Sequence, residues 1–235
     1  MSDGPARRRE LLDRVPLFVR LEPAQLDALA AVTTTRRLAA REELFHKGDP
    51  AAQVYVVASG QLKVVTTSKE GDDVVFNLLG EGDVVGELPL LTGGRRTGTV
   101  SALEPSELLV LERRDFLRFL RERPEAASAL LVVLAERLVR ISEFVEDTLF
   151  LNLPARLAKK LLYLAERYGE EGPAGVQLQL RLSQGELADL VGSSRESINK
   201  QIRAWTDERV VRMERGAITI QDRAALERLA GLLAS

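Results

Sequence analysis

The spacing of apolar residues divides the chain into a short helical start, a β-rich middle and a helical second half. Near the start, LEPAQLDALA has apolar residues at Leu26, Leu29 and Ala30 and places Pro23 in an early helical position, which predicts an amphipathic helix. Across residues 34–112 the apolar runs are short and are separated by turn signals. After Arg113 the spacing becomes helical almost to the end of the chain.

The middle part contains the short apolar segments VYVVAS, QLKVVTT, DVVFNLL and SELLVLE. Between them lie Ser59-Gly60, KEGDD and GEGD, which are turn sequences. Short strands with regularly spaced turns are typical of a β-sandwich or a jelly-roll barrel. The sequence therefore predicts an α+β fold with its strands in the first half and most of its helices in the second.

A long helix is predicted over residues 125–151, where no glycine or proline intervenes. It would be roughly 40 Å long, more than one small domain can cover. Its apolar stripe follows a 3-4-3-4 spacing: Leu131, Leu134, Leu138, Ile141 and Val145. Such a stripe either packs on the protein's own barrel or forms the seam of a parallel two-stranded coiled coil, and the a/d spacing favours the second interpretation, a homodimer.

The predicted hinge between the long helix and the rest of the chain lies at residues 149–153. Asn152 is a residue type that caps helices, and Pro154 falls in the first turn of the next one. We therefore expect three segments, with an N-terminal domain at 1–124, the long helix at 125–151 and a C-terminal domain at 152–235.

The C-terminal segment carries the pattern of a helix-turn-helix. Ser183 and Glu186 have the spacing of a capping box, and Gly192 ends the short helix that they start. Ser193 or Ser194 caps the next helix, which runs through Trp205. Two short helices joined by a glycine turn predict a helix-turn-helix.

A β-hairpin is predicted directly after these helices. VVRMERGAITI alternates apolar and polar residues and turns at Arg215-Gly216, as the wing of a winged helix would. The alternative for the whole segment is a helical hairpin with a solvated charged face.

The start of the second helix presents side chains that suit DNA bases. Arg195 and Glu196 open the helix, and Lys200 lies about one turn later on a nearby face. The first turns of a recognition helix contact base edges, where Arg and Lys suit guanine and Glu suits cytosine. The expected phosphate contacts are Ser194, Ser197 and Asn199.

The charge, the cysteine content and the apolar runs of the chain exclude several kinds of site and location. The chain has 235 residues, 45% hydrophobic and 29% charged, with a net charge of −2, so any basic surface must be local. It has no cysteine, which excludes disulfides and thiol nucleophiles. It has no run of eighteen apolar residues and no apolar signal-peptide core at its start, so we expect no membrane span and a cytoplasmic location.

Two conspicuous residues have plain structural interpretations. His46 is the only histidine, and because a haem or metal would need co-ligands and the chain has no cysteine, we expect a surface residue at a strand end rather than a metal ligand. Trp205, late in the second helix, is expected to pack in the core. No nucleophile and base occur in a catalytic arrangement, so we do not expect an enzyme.

A candidate anion site lies in VGELPLLTGGRRTGTV, residues 85–100. Gly86 allows close backbone approach, and the following amides start a short helical turn. Arg96 offers a planar fork for phosphate oxygens, and Thr97 adds a hydroxyl. Glu87 would repel phosphate but accept hydrogen bonds from a ribose. The set fits a sugar phosphate, and the alternative is a solvated arginine turn.

The chain resembles the cAMP receptor protein / fumarate–nitrate regulator superfamily of bacterial transcription factors over nearly its whole length. The resemblance rests on LFHKGDPAAQVYVVASGQLKVV, LGEGDVVGELPLLTGGRRTGTV and LSQGELADLVGSSRESINKQI, in this order. It implies an N-terminal cyclic-nucleotide-binding β-roll (jelly roll), a long dimerisation helix and a C-terminal winged helix-turn-helix.

The resemblance also implies a ligand, a cyclic nucleotide such as cAMP or cGMP. The phosphate–ribose cassette of the family matches this chain at Gly86, Glu87, Leu88, Arg96 and Thr97, with Arg95 as a solvated neighbour. Where cAMP-responsive members place a polar pair that reads adenine, this chain has Ile141-Ser142. Ser142 keeps a hydroxyl and Ile141 does not, so the alternative is a regulator that works without ligand and has a vestigial pocket.

The partners implied by the resemblance are double-stranded DNA, a second copy of the chain and RNA polymerase. The family's DNA-contacting residues match Ser194, Arg195, Glu196 and Lys200, and the expected site is a palindrome with TGTGA-like half-sites. Arg209 stands where a glycine often precedes the wing. A nucleotide-sensing module that acts on a protein partner without binding DNA is the competing class.

Overall fold

The computed structural model describes residues 4–18, 21–67, 73–214 and 216–232. The chain folds as two compact units, Met1–Arg137 and Leu138–Ser235, and the division falls inside the longest helix.

The first unit combines a β-roll with short helices. Its helices and strands are α1 (Pro5–Asp13), α2 (Pro23–Val32), β1 (Thr34–Leu38), β2 (Glu43–Phe45), β3 (Gln53–Ser59), β4 (Leu62–Thr67), β5 (Asp73–Leu79), β6 (Val84–Val85), α3 (Leu88–Thr92), β7 (Thr99–Ala102), β8 (Ser106–Glu112), α4 (Arg113–Glu122) and the first part of α5 (Pro124–Phe150). The four apolar segments predicted as strands become β3, β4, β5 and β8, and the predicted β-rich range is confirmed.

Two antiparallel sheets form the roll, in the strand orders β1-β8-β3-β6 and β2-β7-β4-β5. Their facing side chains make one core, to which Tyr55, Val57, Leu62, Val100 and Leu108 belong. β3 is apolar on both faces, which is why its sequence is a continuous apolar run rather than an alternating one.

The other face of β3 packs against helices. Val54 and Val56 of β3 join a second core with Leu26 of α2, Phe116 of α4 and Leu130 of α5. The roll is thereby closed on one side by helices that come before and after it in the chain, and the start of α5 is anchored to it.

The second unit is a winged helix-turn-helix. It contains the rest of α5 and then α6 (Leu153–Tyr168), β9 (Gly169–Gly172), β10 (Gly175–Leu178), α7 (Gln184–Val191), α8 (Arg195–Asp207), β11 (Val211–Glu214), β12 (Ala217–Ile220) and α9 (Arg223–Leu229). The Asn152 side chain accepts a hydrogen bond from the Ala155 amide, and Pro154 lies in the first turn, so the predicted cap of α6 is confirmed. The predicted α+β class, with roll, long helix and winged helix, is also confirmed.

The wing is part of a larger sheet than the sequence indicated. β11 and β12 form the predicted hairpin, although Arg215 of its predicted turn lies outside the described residues. β10 pairs with both β12 and β9, so the sheet has the order β11-β12-β10-β9. The hairpin of β9 and β10 was missed because β9 is short, polar and exposed along its whole length.

The apolar stripe of α5 lies largely on the surface of the chain. Leu131 and Leu138 are 67% and 64% exposed, and Ile141 and Val145 are exposed as well. Leu134 differs, because it packs partly against the helical core of the first unit. Among the described residues, no helix combines the length and apolar character that crossing a membrane requires.

Candidate functional site

The candidate anion site is built where β6 leads into α3 and where the chain enters β7. Its main chain is fixed by backbone hydrogen bonds, because the Arg96 amide donates to the Asp49 carbonyl at 3.0 Å and the Gly48 amide donates to the Arg96 carbonyl at 2.8 Å. Arg96 is thereby held beside the turn that follows β2.

The Arg96 guanidinium points into the roll and is only 4% exposed. Its Nη1 donates to the Gly86 carbonyl at 2.9 Å, and its Nη2 donates to the Gln53 carbonyl at 2.7 Å. The guanidinium carbon lies 4.1 Å from the centre of the Phe45 ring, a cation–π contact. The buried Nε of Arg96 has no hydrogen-bond acceptor in the described part of the chain.

Gly86 has a structural reason to be glycine. Its φ of +83° is unfavourable for other residues. An ideal Cβ at this position would lie 2.2 Å from Arg96 Nη1, so any side chain would displace the guanidinium. The close approach predicted at Gly86 is thus made by Arg96 itself.

Glu87 is the other buried charge of the site, only 1% exposed. Its carboxylate accepts a hydrogen bond from Arg137 Nη1 at 2.6 Å, and Arg137 lies on α5 and also donates through Nη2 to the Val84 carbonyl. The pair connects the loop before α3 to the long helix within the first unit.

Burial is the largest influence on the pKa of both Glu87 and Arg96. It raises the pKa of the Glu87 carboxyl above its ordinary value, although the positive charge of Arg137 opposes the shift. It also lowers the pKa of the Arg96 guanidinium, against the attraction of Tyr55, Asp49 and Glu87. The surroundings present here do not fully compensate either charge for the loss of water.

The remaining cassette residues lie nearer the surface. Leu88 begins α3 and is 42% exposed. Thr97 follows Arg96 in the chain, shortly before β7, and is also exposed. Arg95 is exposed and donates to the Gly48 carbonyl at 2.8 Å, which agrees with the prediction of a solvated neighbour. The structure thus brings together Gly86, Glu87 and Arg96 as one contact set.

The candidate base-contacting residues belong to the long helix. Ser142 and Ile141 lie on the part of α5 that belongs to the second unit, and both are exposed. The assignment of Ser142 to a nucleotide base stays a prediction, and Ile141 has no hydroxyl for such a contact.

The helix-turn-helix has the local structure that its sequence predicts. Ser183 and Glu186 form the capping box of α7, and Gly192 ends α7 in the left-handed conformation at φ +64°. Ser194 caps α8 by accepting a hydrogen bond from the Ser197 amide. Both helix starts and the turn between them are therefore specified by short-range hydrogen bonds.

One face of α8 is buried and the opposite face is available for contacts. Ile198, Ile202 and Trp205 pack in the core, so the predicted packing role of Trp205 is confirmed. Four of the side chains that the sequence assigned to bases and phosphates are exposed, namely Ser194, Arg195, Glu196 and Lys200, whereas Ser197 is half-buried. Asn199, an expected phosphate contact, is half-buried and accepts a hydrogen bond from Gln184 Nε2 at 3.2 Å.

His46 lies just after β2 and is exposed beside Glu43, with 3.3 Å between Nε2 and the carboxylate. This position agrees with the interpretation as a strand-end surface residue. Within the described residues, no cluster of histidine and acidic side chains is arranged to hold a metal ion.

Two components of the candidate anion site were not predicted from the sequence. Arg137 is 50 positions from Glu87, and nothing in its neighbourhood distinguishes it from Arg140 one turn later. Phe45, which lies against the Arg96 guanidinium, is one of several aromatic residues in strands.

Comparison with known proteins finds a matching family model for each of the two units. Residues 35–123 match the family model of the cyclic nucleotide-binding domain, and residues 155–229 match that of the Crp-like helix-turn-helix domain. The chain is 30% identical over 221 residues to the CRP-like cAMP-activated global transcriptional regulator of Mycobacterium tuberculosis, covering 94% of this chain and 99% of that protein.

Two further comparisons extend this similarity. The cyclic AMP receptor protein of Thermus thermophilus is 32% identical over 215 residues, covering 92% of this chain and 96% of that protein. The crystal structure of a CRP-family transcriptional regulator from the same organism superposes with a TM-score of 0.72 at 27% identity, covering 83% of this chain and 96% of the other. The chain therefore belongs to the cAMP receptor protein / fumarate–nitrate regulator superfamily, as a DNA-binding transcription regulator with a cyclic nucleotide-binding domain.

Proposed function

We propose that this regulator is a cytoplasmic homodimer that binds palindromic DNA under the control of a cyclic mononucleotide, cAMP or cGMP, held in the β-roll. RNA polymerase is its expected protein partner. Relatives in M. tuberculosis and T. thermophilus carry cAMP in their names, which makes cAMP the first ligand to test.

The observation that carries the ligand proposal is the unpaired Nε of Arg96. A buried donor without an acceptor costs about 1–3 kcal/mol, and a phosphate oxygen of a ligand would supply the acceptor. The lowered pKa of Arg96 also supports an anionic ligand, since a nearby negative charge would stabilise the charged form of the guanidinium. Gly86, Leu88 and Thr97 complete the proposed cradle.

The proposed gating step is an exchange of partners at Glu87. A ribose hydroxyl that donates to this carboxylate competes with Arg137, whose side chain belongs to α5. Ligand binding would thereby change the restraint that the roll places on the long helix. Such a differential contact is what a ligand needs in order to shift a conformational equilibrium.

Dimerisation is proposed from the exposed stripe of α5. Leu131, Leu138, Ile141 and Val145 are exposed apolar side chains at heptad spacing. Parallel helices bury such residues in knobs-into-holes packing. A two-fold dimer then presents two copies of α8, which suits half-sites like TGTGA about one helical turn apart.

Calorimetric titration with cAMP and with cGMP tests the ligand proposal. We expect Arg96→Ala to weaken both nucleotides at least about tenfold, because one charge-assisted hydrogen bond is worth about 1.5–3 kcal/mol. Arg95→Ala is the matched control, since this neighbouring arginine is exposed, and it should change the affinity less than about threefold. Equal losses in the two variants would contradict the assignment.

Binding to DNA is tested with Arg195→Ala. This variant should lose about 1–3 kcal/mol on a TGTGA-type palindrome and discriminate less at one guanine. Arg228→Ala on α9, outside the helix-turn-helix, removes the same charge and should leave the preference intact. An equal loss of Arg195→Ala on specific and random duplexes would make Arg195 a phosphate contact only.

A ligand-independent regulator is the second candidate function, and one observation favours it. The terminal nitrogens of Arg96 are already bound by the Gly86 and Gln53 carbonyls, and Glu87 is already paired with Arg137. The site therefore holds together without a ligand. Specific DNA binding in the absence of nucleotide, combined with no binding of cAMP or cGMP at millimolar concentration, would select this alternative.

A further inference from the structure

Arg156 makes an unusual set of contacts at the start of α6. Its Nη1 donates to the Leu151 carbonyl at 3.0 Å, its Nε to the Val191 carbonyl at 3.0 Å and its Nη2 to the Gly192 carbonyl at 3.3 Å. Leu151 directly follows α5, and Val191 and Gly192 form the end of α7. One side chain therefore joins the long helix to the turn of the helix-turn-helix.

The chemistry of these acceptors explains why an arginine occupies this position. The last carbonyls of a helix have no partner within the helix, and they lie at the negative end of its dipole. Two helix ends, those of α5 and α7, meet at Arg156. A guanidinium is a planar cation with five donors, so it can satisfy several carbonyls in different directions, which an ammonium group cannot do equally well.

The turn also lies directly against the long helix. A Cβ built on Gly192 would lie 3.6 Å from Phe144 Cζ and 3.9 Å from Thr148 Oγ1, and both residues belong to the last turns of α5. An ion pair of 2.7 Å between Lys159 of α6 and Asp147 of α5 adds a second connection. The end of α5, the start of α6 and the turn before α8 thus form one joint, defined here by Asp147, Arg156 and Gly192.

The joint lies directly before the recognition helix. Ser194, the cap of α8, is two residues after Gly192, so a rotation of the turn changes the direction of α8. A domain of about 100 residues has a radius of gyration of about 13 Å, and a rotation of about 15° at that distance gives about 3.4 Å, the rise of one base pair. A small rotation at the joint therefore moves α8 by a distance comparable to the rise of one base pair.

We propose that Arg156 is a positioning residue that fixes the direction of α8 relative to α5 and thereby sets the half-site spacing that the dimer accepts. The inference rests on the proposed function as a dimer on palindromic DNA. In such a dimer α5 is the common reference of both subunits, so the angle between α5 and α8 determines the distance between the two recognition helices. Without the three carbonyl contacts, that angle becomes less defined.

The test measures binding of the full-length protein to duplexes that differ only in spacing. One duplex has two TGTGA-type half-sites at the best spacing, two have one base pair added or removed, and one has a single half-site. The variants are Arg156→Gln and Arg156→Lys. Arg223→Gln on α9 is the matched control, because it removes an arginine with exposed ion pairs in the same unit.

We expect the unmodified protein to lose at least about tenfold in affinity when the spacing changes by one base pair. The spacing ratio is the affinity for the duplex with the best spacing divided by the affinity for a duplex with the spacing changed by one base pair. Arg156→Gln should reduce the spacing ratio at least about threefold. It should leave the affinity for the single half-site within about threefold. Arg156→Lys keeps the charge but not the fork, and it should have an intermediate ratio. Arg223→Gln should keep the ratio of the unmodified protein.

A loss of stability alone does not support the proposal, because a structural role would lower the melting temperature without changing the spacing ratio. An unchanged ratio in both Arg156 variants overturns the inference, and so does an unmodified protein that binds palindromes without any spacing preference. If Arg156→Gln does not fold, the ratio for Arg156→Lys decides. Failure of the unmodified protein to bind any duplex would instead refute the proposed function.

Discussion

Replacing Arg137 with methionine is the sharpest test of the buried charges in the β-roll. The change keeps the length and apolar stem of the side chain and removes its cation. Glu87 then remains 1% exposed without the partner that now lies 2.6 Å away. Breaking a buried ion pair from one side costs about 3–5 kcal/mol, because the other charge stays buried and uncompensated.

The loss of stability caused by Arg137→Met should depend on pH, and the direction of this dependence follows from the pKa of Glu87. Burial raises the pKa of this carboxyl, so the folded state binds its proton more tightly than the unfolded state does. The free energy of unfolding contributed by this group therefore falls as pH rises through and above the ordinary glutamate range. Loss of the Arg137 charge raises the pKa further, so the variant should be closest to the unmodified protein in acid and furthest from it near neutrality.

Urea unfolding at several pH values measures this effect, with Arg14→Met as the control. Arg14 pairs with Glu10 on the surface, and exposed pairs contribute only about 0–1 kcal/mol. The double variant Arg137→Met, Glu87→Gln should recover most of the loss, because it removes the Glu87 charge that Arg137→Met leaves without its partner. Similar losses for Arg137→Met and Arg14→Met, or a loss that does not change with pH, would refute the reasoning.

Three further predictions concern the long helix and the wing. Leu138→Asp should convert the dimer to a monomer in light scattering at micromolar concentration, and a monomeric unmodified protein would contradict the proposed seam. Ile141→Thr should shift calorimetric preference towards cAMP over cGMP, whereas a preference of a hundredfold or more for cAMP in the unmodified protein would show that Ile141 does not limit discrimination. Arg209 has a φ of 58°, so Arg209→Gly should raise the free energy of unfolding by up to about 1 kcal/mol, and Arg212→Gly in the adjacent strand should lower it.

The strands and the helix-turn-helix were predictable because local chemistry specifies them. Continuous apolar runs define β3 and β8, and the capping box of Ser183 and Glu186 defines the start of α7. The hairpin of β9 and β10 has no such signal, since β9 contains only glycine and glutamate. It is held by pairing of β10 with β12, a contact between distant segments.

The site was predictable in its residue types but not in its contacts. Arg96, Gly86 and Glu87 were identified as a set, yet the sequence suggested that Gly86 makes room for an anion. In the structure Gly86 makes room for Arg96, and Glu87 binds an arginine from α5. Those pairings join positions that are far apart in the chain, so no local pattern contains them.

The stability of the free roll and its proposed response to nucleotide have the same physical origin. Buried ion pairs are often no more stabilising than well-packed apolar residues, and an unpaired buried donor is unfavourable outright. Arg96 and Glu87 are both nearly inaccessible, and burial shifts both pKa values towards the uncharged forms. A ligand that offers an anion to Arg96 and hydroxyl donors to Glu87 removes part of this cost only when it binds. The groups that burial makes costly in the free roll are therefore the groups through which the proposed phosphate ligand would stabilise it.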